Sequence, residues 1–184
     1  MKSMKRNDEG FTGLEAAIVL IAFVVVAAVF SYVVLGAGFF TTQKAQETVY
    51  KGVEQSTANI QMIGNVYGLS TDSTNISNLT FSIGLAPGAS AIDLTKMKIV
   101  FSTPTTTPVI LSQGSPASVN NFTTKIGSNA VTSMNPNDQV EIAFGVSGVT
   151  ANTKMNIELR PSVGAALPFS KTAPATITNT SVLY

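Results

Sequence analysis

The residues able to do covalent chemistry in this chain are few, and the missing types exclude most reactions. There is no His and no Cys. That removes Ser–His and Cys–His nucleophile pairs, the ordinary general base at neutral pH, and the usual zinc ligands. No S-x-x-K, G-x-x-x-x-G-K-[ST] or G-x-G-x-x-G sequence occurs. Asp138 and Glu141 stand near Asn135 and Asn137 and could offer oxygens to calcium. Their spacing does not match a helix–loop–helix calcium loop, so they are read as a solvated turn. We therefore expect no catalytic residue, no metal, no cofactor and no enzyme.

Three other features carry chemistry. Glu15 places a carboxylate at the edge of an apolar run, where it is costly unless paired or close to the interface. The short charged segment before it ends in Asp8-Glu9-Gly10, followed directly by Phe11-Thr12-Gly13-Leu14-Glu15. Four N-x-[ST] triplets follow further on: Asn75-Ile76-Ser77, Asn78-Leu79-Thr80, Asn121-Phe122-Thr123 and Asn179-Thr180-Ser181. Such a triplet is a short pattern that a Thr/Asn-rich chain produces by chance as well. All four nevertheless fall in one half of the chain, where an exported protein would carry sugars. Asn179 shares strand parity with Ile177, which would turn it inward.

The element that must position Glu15 is a long helix. Residues 16–43 carry no charged side chain. As an α-helix that stretch spans about 42 Å, against about 30 Å for a hydrocarbon core. It is apolar on every face, which suits lipid or the middle of a bundle. Lys44, Glu47, Lys51 and Glu54 then alternate in sign at helical spacing, as a solvated face would. Val49, Val53, Ile60, Ile63 and Tyr67 line up on the other side. Gly64 and Gly68 read as stops, and Gly36 and Gly38 as sites for a bend. The pattern predicts one helix over residues 11–64, apolar in its first half and amphipathic in its second.

Beyond it the chain turns to Ser, Thr, Asn, Gly and Pro with period-2 runs: Leu79/Phe81/Ile83/Leu85, Met97/Ile99/Phe101, Val140/Ile142/Phe144/Val146 and Met155/Ile157/Leu159. Turn residues separate the runs at 86–88, 114–116, 135–138 and 148–152. The third and fourth runs read as a hairpin. About seven strands over residues 65–184 predict an antiparallel β-sandwich, so the fold class is α+β. The net charge of +1 gives no basis for nucleic-acid binding. Lys2, Lys5 and Arg6 orient the N-terminus to the cytoplasm and the β half outward.

The order of charged segment, Gly10 and apolar helix differs from an ordinary secretory signal, whose cleavage site follows the apolar run. It resembles the class III signal of type IV pilins and archaellins (archaeal flagellins), and the run Leu-Glu-Ala-Ala-Ile-Val-Leu-Ile-Ala-Phe-Val-Val-Val-Ala-Ala-Val looks most like an archaellin. The resemblance implies removal of residues 1–10 by a prepilin peptidase between Gly10 and Phe11. It also implies an N-terminal assembly helix over 11–64 and an outer, immunoglobulin-like domain over 65–184. The mature protein would be a self-polymerising subunit of the extracellular motility filament, held in the inner membrane as precursor. A membrane motor complex with an ATPase would add the subunits. In pilins the fifth mature residue is a Glu that meets the α-amino group of a neighbour; here that is Glu15 and Phe11. Many archaellins have a small uncharged residue there, which keeps an adhesion pilin open as the alternative. A monomeric membrane-anchored surface protein is the alternative from another class. Archaellins are commonly N-glycosylated, which favours sugars at the four asparagines. Phe23 and Phe30 share a helix face and are expected to pack in the fibre core; passage of charge along such rings is the weaker reading.

Overall fold

The structure, a computed structural model, describes residues 8–184, with side chains from residue 13 onward. It divides into two units at the Tyr50/Lys51 boundary. The first is helical. Helix α1 runs uninterrupted from Asp8 to Thr57, so Gly36 and Gly38 do not break it. Every side chain from Gly13 to Val53 is exposed, including Phe23, Phe30, Phe39 and Phe40. At about 1.5 Å per residue the 50-residue helix is about 75 Å long. The solvated face expected after the apolar run is present, with Lys44 Nζ 2.7 Å from Glu47 Oε2.

The helix ends seven residues earlier than its sequence pattern suggests. Thr57 donates its hydroxyl to the Val53 and Glu54 carbonyls, and the Ala58 N–H bonds back to the Glu54 carbonyl. Ala58 and Ile60 are then drawn into the β core at 2% and 1% exposure. Ile60, Ile63 and Tyr67 thus belong to strand β1 (Ile60–Leu69), not to a helical stripe. The 3- and 4-residue spacing that mimicked a helix marks no common face: Ile60 is buried, Ile63 and Tyr67 are exposed, and Val66 faces the core. Between Ile63 and Tyr67 three residues of β1 oppose one of its partner, with Gly64 at φ +77°. Gly64 serves the bulge and stops no helix.

The second unit holds the remaining strands: β2 (Ile76–Leu85), β3 (Ile92–Asp93), β4 (Lys98–Thr103), β5 (Thr106–Gln113), β6 (Asn121–Ile126), β7 (Asn129–Ala130), β8 (Ser133–Met134), β9 (Gln139–Val149), β10 (Lys154–Arg160), β11 (Leu167–Thr172) and β12 (Thr180–Leu183). The main sheet runs β11-β10-β4-β5-β6-β9-β2-β1-β12, with β7 beside β6; β3 and β8 form a separate pair. Its two ends meet where Thr172 and Tyr184 exchange backbone hydrogen bonds of 2.7 and 3.2 Å.

The sheet bends over on itself into two layers around one core. Phe101 of β4 packs edge-on against Phe144 of β9 at 5.9 Å between ring centroids, and Phe81 of β2 against Phe169 of β11 at 5.4 Å. The alternating runs supply that core: Leu79, Phe81, Ile83, Met97, Ile99, Val140, Ile142, Phe144, Met155, Ile157 and Leu159 are all buried. This is the sandwich the sequence predicts, with two differences. One strand pair, β5 with β6, is parallel. And β9 and β10 are not a hairpin: β9 pairs with β2 and β6, β10 with β4 and β11. The turn from Thr150 to Thr153 carries the chain between layers, so the two buried faces look at each other across the core instead of lying side by side.

Candidate assembly and modification sites

The candidate site of the first unit is the helix surface. Glu15 is exposed and lies with Ala16, Val19, Leu20, Phe23 and Val24 along one open groove of the helix. Those residues recur every three to four positions, so a single face carries the carboxylate, small side chains and one ring. Ala16, Ala17, Ala22, Ala27, Ala28 and Ala37 leave room for close helix–helix approach, and Val, Ile, Leu and Phe fill the rest. Phe23 and Phe30 are 72% and 69% exposed. A helix apolar on all faces and covered on none has a surface complete only with lipid or other helices around it. The charged residues Lys2, Lys5 and Arg6 lie outside the described residues, as does the side chain of Phe11, which follows Gly10 at the expected cleavage junction.

The four candidate asparagines all lie in the second unit. Asn78 is exposed on β2, opposite Leu69 of β1 and Gly145 of β9. Asn121 is half-buried at the start of β6. Asn75 is half-buried and immediately precedes β2. Asn179 is exposed, contrary to the inward orientation its parity with Ile177 suggested. Residues 178–181 form a turn in which Thr178 donates its backbone N–H to the Ser181 hydroxyl, so strand parity does not extend back from β12. Asn179 Oδ1 accepts from the Ser73 hydroxyl at 3.0 Å.

That contact belongs to a loop organised by Asp72, which sequence patterns did not single out. Its carboxylate accepts the backbone N–H groups of Asn75 and Thr74 and the Ser70 hydroxyl at 3.0–3.1 Å. These donors, the Asn75 amide foremost, hold its pKa far below the usual carboxylate range. Asp138 does similar work at the turn once considered for calcium. It accepts from the Asn135 backbone and side-chain amides at 2.9 and 3.1 Å, and Asn137 takes φ +74°. Among the described residues no three acidic side chains gather as a metal site. Other charges pair locally, Arg160 with Glu158 and Lys96 with Asp93.

The sequence model of the archaeal-type flagellin family matches residues 10–171. The chain belongs to that family. It is 40% identical to probable flagellin 1 of Archaeoglobus fulgidus, across 97% of this flagellin and 96% of that one. A 32-residue sequence of the 24 kDa flagellin of Methanospirillum hungatei is 91% identical, over 17% of this chain. Among solved structures, the archaeal flagellum of Methanospirillum hungatei strain JF1 superposes with a TM-score of 0.75 at 34% identity, covering 94% of this chain and 99% of that subunit. The crystal structure of flagellin FlaB1 from Methanocaldococcus jannaschii shares the fold at a TM-score of 0.60 and 16% identity, over 68% of this chain and 96% of that one. The protein is therefore a structural subunit of an extracellular filament, the archaeal flagellum. Neither the adhesion pilin nor the monomeric surface protein is favoured by these likenesses.

Proposed function

We propose that this flagellin polymerises through α1 after the segment 1–10 is removed between Gly10 and Phe11. The observation that carries the reading is that every residue of the helix from Gly13 to Val53 is exposed, whereas the β unit buries its own core. In the bilayer, lipid covers the helix. In the fibre, neighbouring copies replace lipid, and an interface that does not close on itself grows as a helical polymer. Residues 11–57 are the assembly helix on this reading and the β unit is the outer domain. The start of the family match at residue 10 supports a junction there.

Glu15 is assigned to the α-amino group that cleavage would create on Phe11 of an adjacent subunit. A carboxylate held among apolar side chains needs such a partner, and the pair would set register between copies. The partners implied are further copies of the chain, the membrane before assembly, a prepilin peptidase and a membrane motor complex with an ATPase. No cofactor is required. Sugars on Asn75, Asn78, Asn121 and Asn179 would hydrate a sparsely charged surface.

Fibres sheared from cells and imaged should yield a subunit whose N-terminal sequencing starts at Phe11. An intact chain starting at Met1, recovered as a monomer from membranes, would refute both cleavage and polymerisation. The mass of the mature subunit should exceed that of the bare polypeptide.

A further inference from the structure

The folded β unit hides its own sugar-acceptor triplets. A glycan reaches asparagine when Nδ2 attacks the anomeric carbon of a lipid-phosphate-linked sugar donor. A C–N bond forms, the anomeric C–O bond breaks, the lipid phosphate leaves with the electron pair, and Nδ2 gives up one proton. An amide nitrogen is a weak nucleophile, and the enzyme must seize the whole triplet, including the hydroxyl two residues on. Here the middle residues Ile76, Leu79 and Phe122 are at 0% exposure in the core. The hydroxyl of Ser77 donates to the Leu69 carbonyl at 3.1 Å, and that of Thr123 to the Ala143 carbonyl at 3.3 Å.

The backbone is equally committed. Asn78 to Thr80 lie on an interior strand paired with β1 on one side and β9 on the other. Phe122 is paired with β5 and with β9. The fourth triplet is closed as well, because Ser181 is 5% exposed and its hydroxyl accepts from Thr178. Yet the asparagines themselves point away from the core: Asn78 and Asn179 are exposed, and Asn75 and Asn121 half-exposed. The folded surface can carry sugars that it cannot receive.

Resting on the reading that these asparagines are glycosylated, we propose that transfer to Asn75, Asn78 and Asn121 precedes folding of the β unit. The acceptor is the newly exported, unfolded segment. Folding then buries the middle residue of each triplet and leaves the attached sugar outside. Releasing three residues of an interior strand requires opening much of the sheet, and such openings are rare in a core strand.

The test uses membrane vesicles from filament-making cells as the source of enzyme and lipid-linked donor. One acceptor is the folded full-length chain in detergent; the other is a peptide of residues 117–127. The peptide should gain sugar mass at Asn121 at least about a hundredfold faster than the folded chain. In cells, full-length Phe144→Ala, which loosens the strand beside both Asn78 and Asn121, should show equal or higher occupancy at these sites, never lower. Folded chain modified as fast as peptide would overturn the order of events while leaving glycosylation intact. An inert peptide together with cell-made subunits of bare mass would remove the glycosylation reading and the proposal with it.

Discussion

The helix and the β unit solve opposite problems with apolar side chains. In the β unit, alternation places one apolar residue in two against the opposing layer, and the core closes within a single copy. In the helix no side chain from Gly13 to Val53 is covered by the chain itself. Stability can be finished inside one molecule in the first case and only between molecules in the second. The difference teaches that exposed apolar surface is here the site itself.

The sharpest way to break the comparison is a charge on the helix. Val25→Asp should abolish filaments in sheared material, since a mid-helix charge costs about 3 kcal/mol or more per subunit in an apolar surround. Its β unit should melt unchanged. Phe144→Ala should do the reverse. It removes a buried ring that contacts Phe81 and Phe101, at a cost of about 3–5 kcal/mol in chemical denaturation of the β unit. Helicity of detergent-held α1, followed by circular dichroism, should persist.

Smaller effects sharpen the boundary between the two regions. Gly64→Val should destabilise the β unit by about 1–2 kcal/mol, because φ +77° is unfavourable for a β-branched residue. The smallest effect is at Asp72. Its folded pKa is depressed by the Asn75 and Thr74 amides and the Ser70 hydroxyl. Its contribution is therefore present above the ordinary carboxylate pKa of about 3.9 and fades as pH falls below it. Melting curves of Asp72→Asn should show a shallower loss of Tm than the parent chain between about pH 4 and pH 2.

Much of this was legible because the two halves obey different periods. The uncharged run 16–43 admits only a helix that no single core can cover, and four alternating runs named half of the core. The end of the helix was not legible. Ile60, Ile63 and Tyr67 keep helical spacing but share no face in β1, since Ile60 is buried while Ile63 and Tyr67 are exposed, and a one-dimensional pattern does not tell a common face from a coincidence of spacing. Strand partners were hidden for a related reason. A four-residue turn can close a hairpin or cross a sandwich, and the side-chain pattern of β9 and β10 is the same in both. Strands β5, β6, β11 and β12 went unseen because Thr, Ser, Asn and Pro dilute their alternation. Asp72 was missed because its role lies in backbone amides, which every residue has.

The crossing from β9 to β10 also sets a clock. Since those neighbours in sequence are not neighbours in the sheet, half of the ladders join segments that are not adjacent in the chain: β4 waits for β10, and β1, made first, pairs at Tyr67 with Val182. Sheets of such high contact order form slowly, over milliseconds to seconds. The first strand stays partly unpaired until nearly the last residues have been synthesised. On the order of events proposed above, that delay is the interval in which sugar transfer to Asn75, Asn78 and Asn121 would take place, before the sheet closes over their triplets.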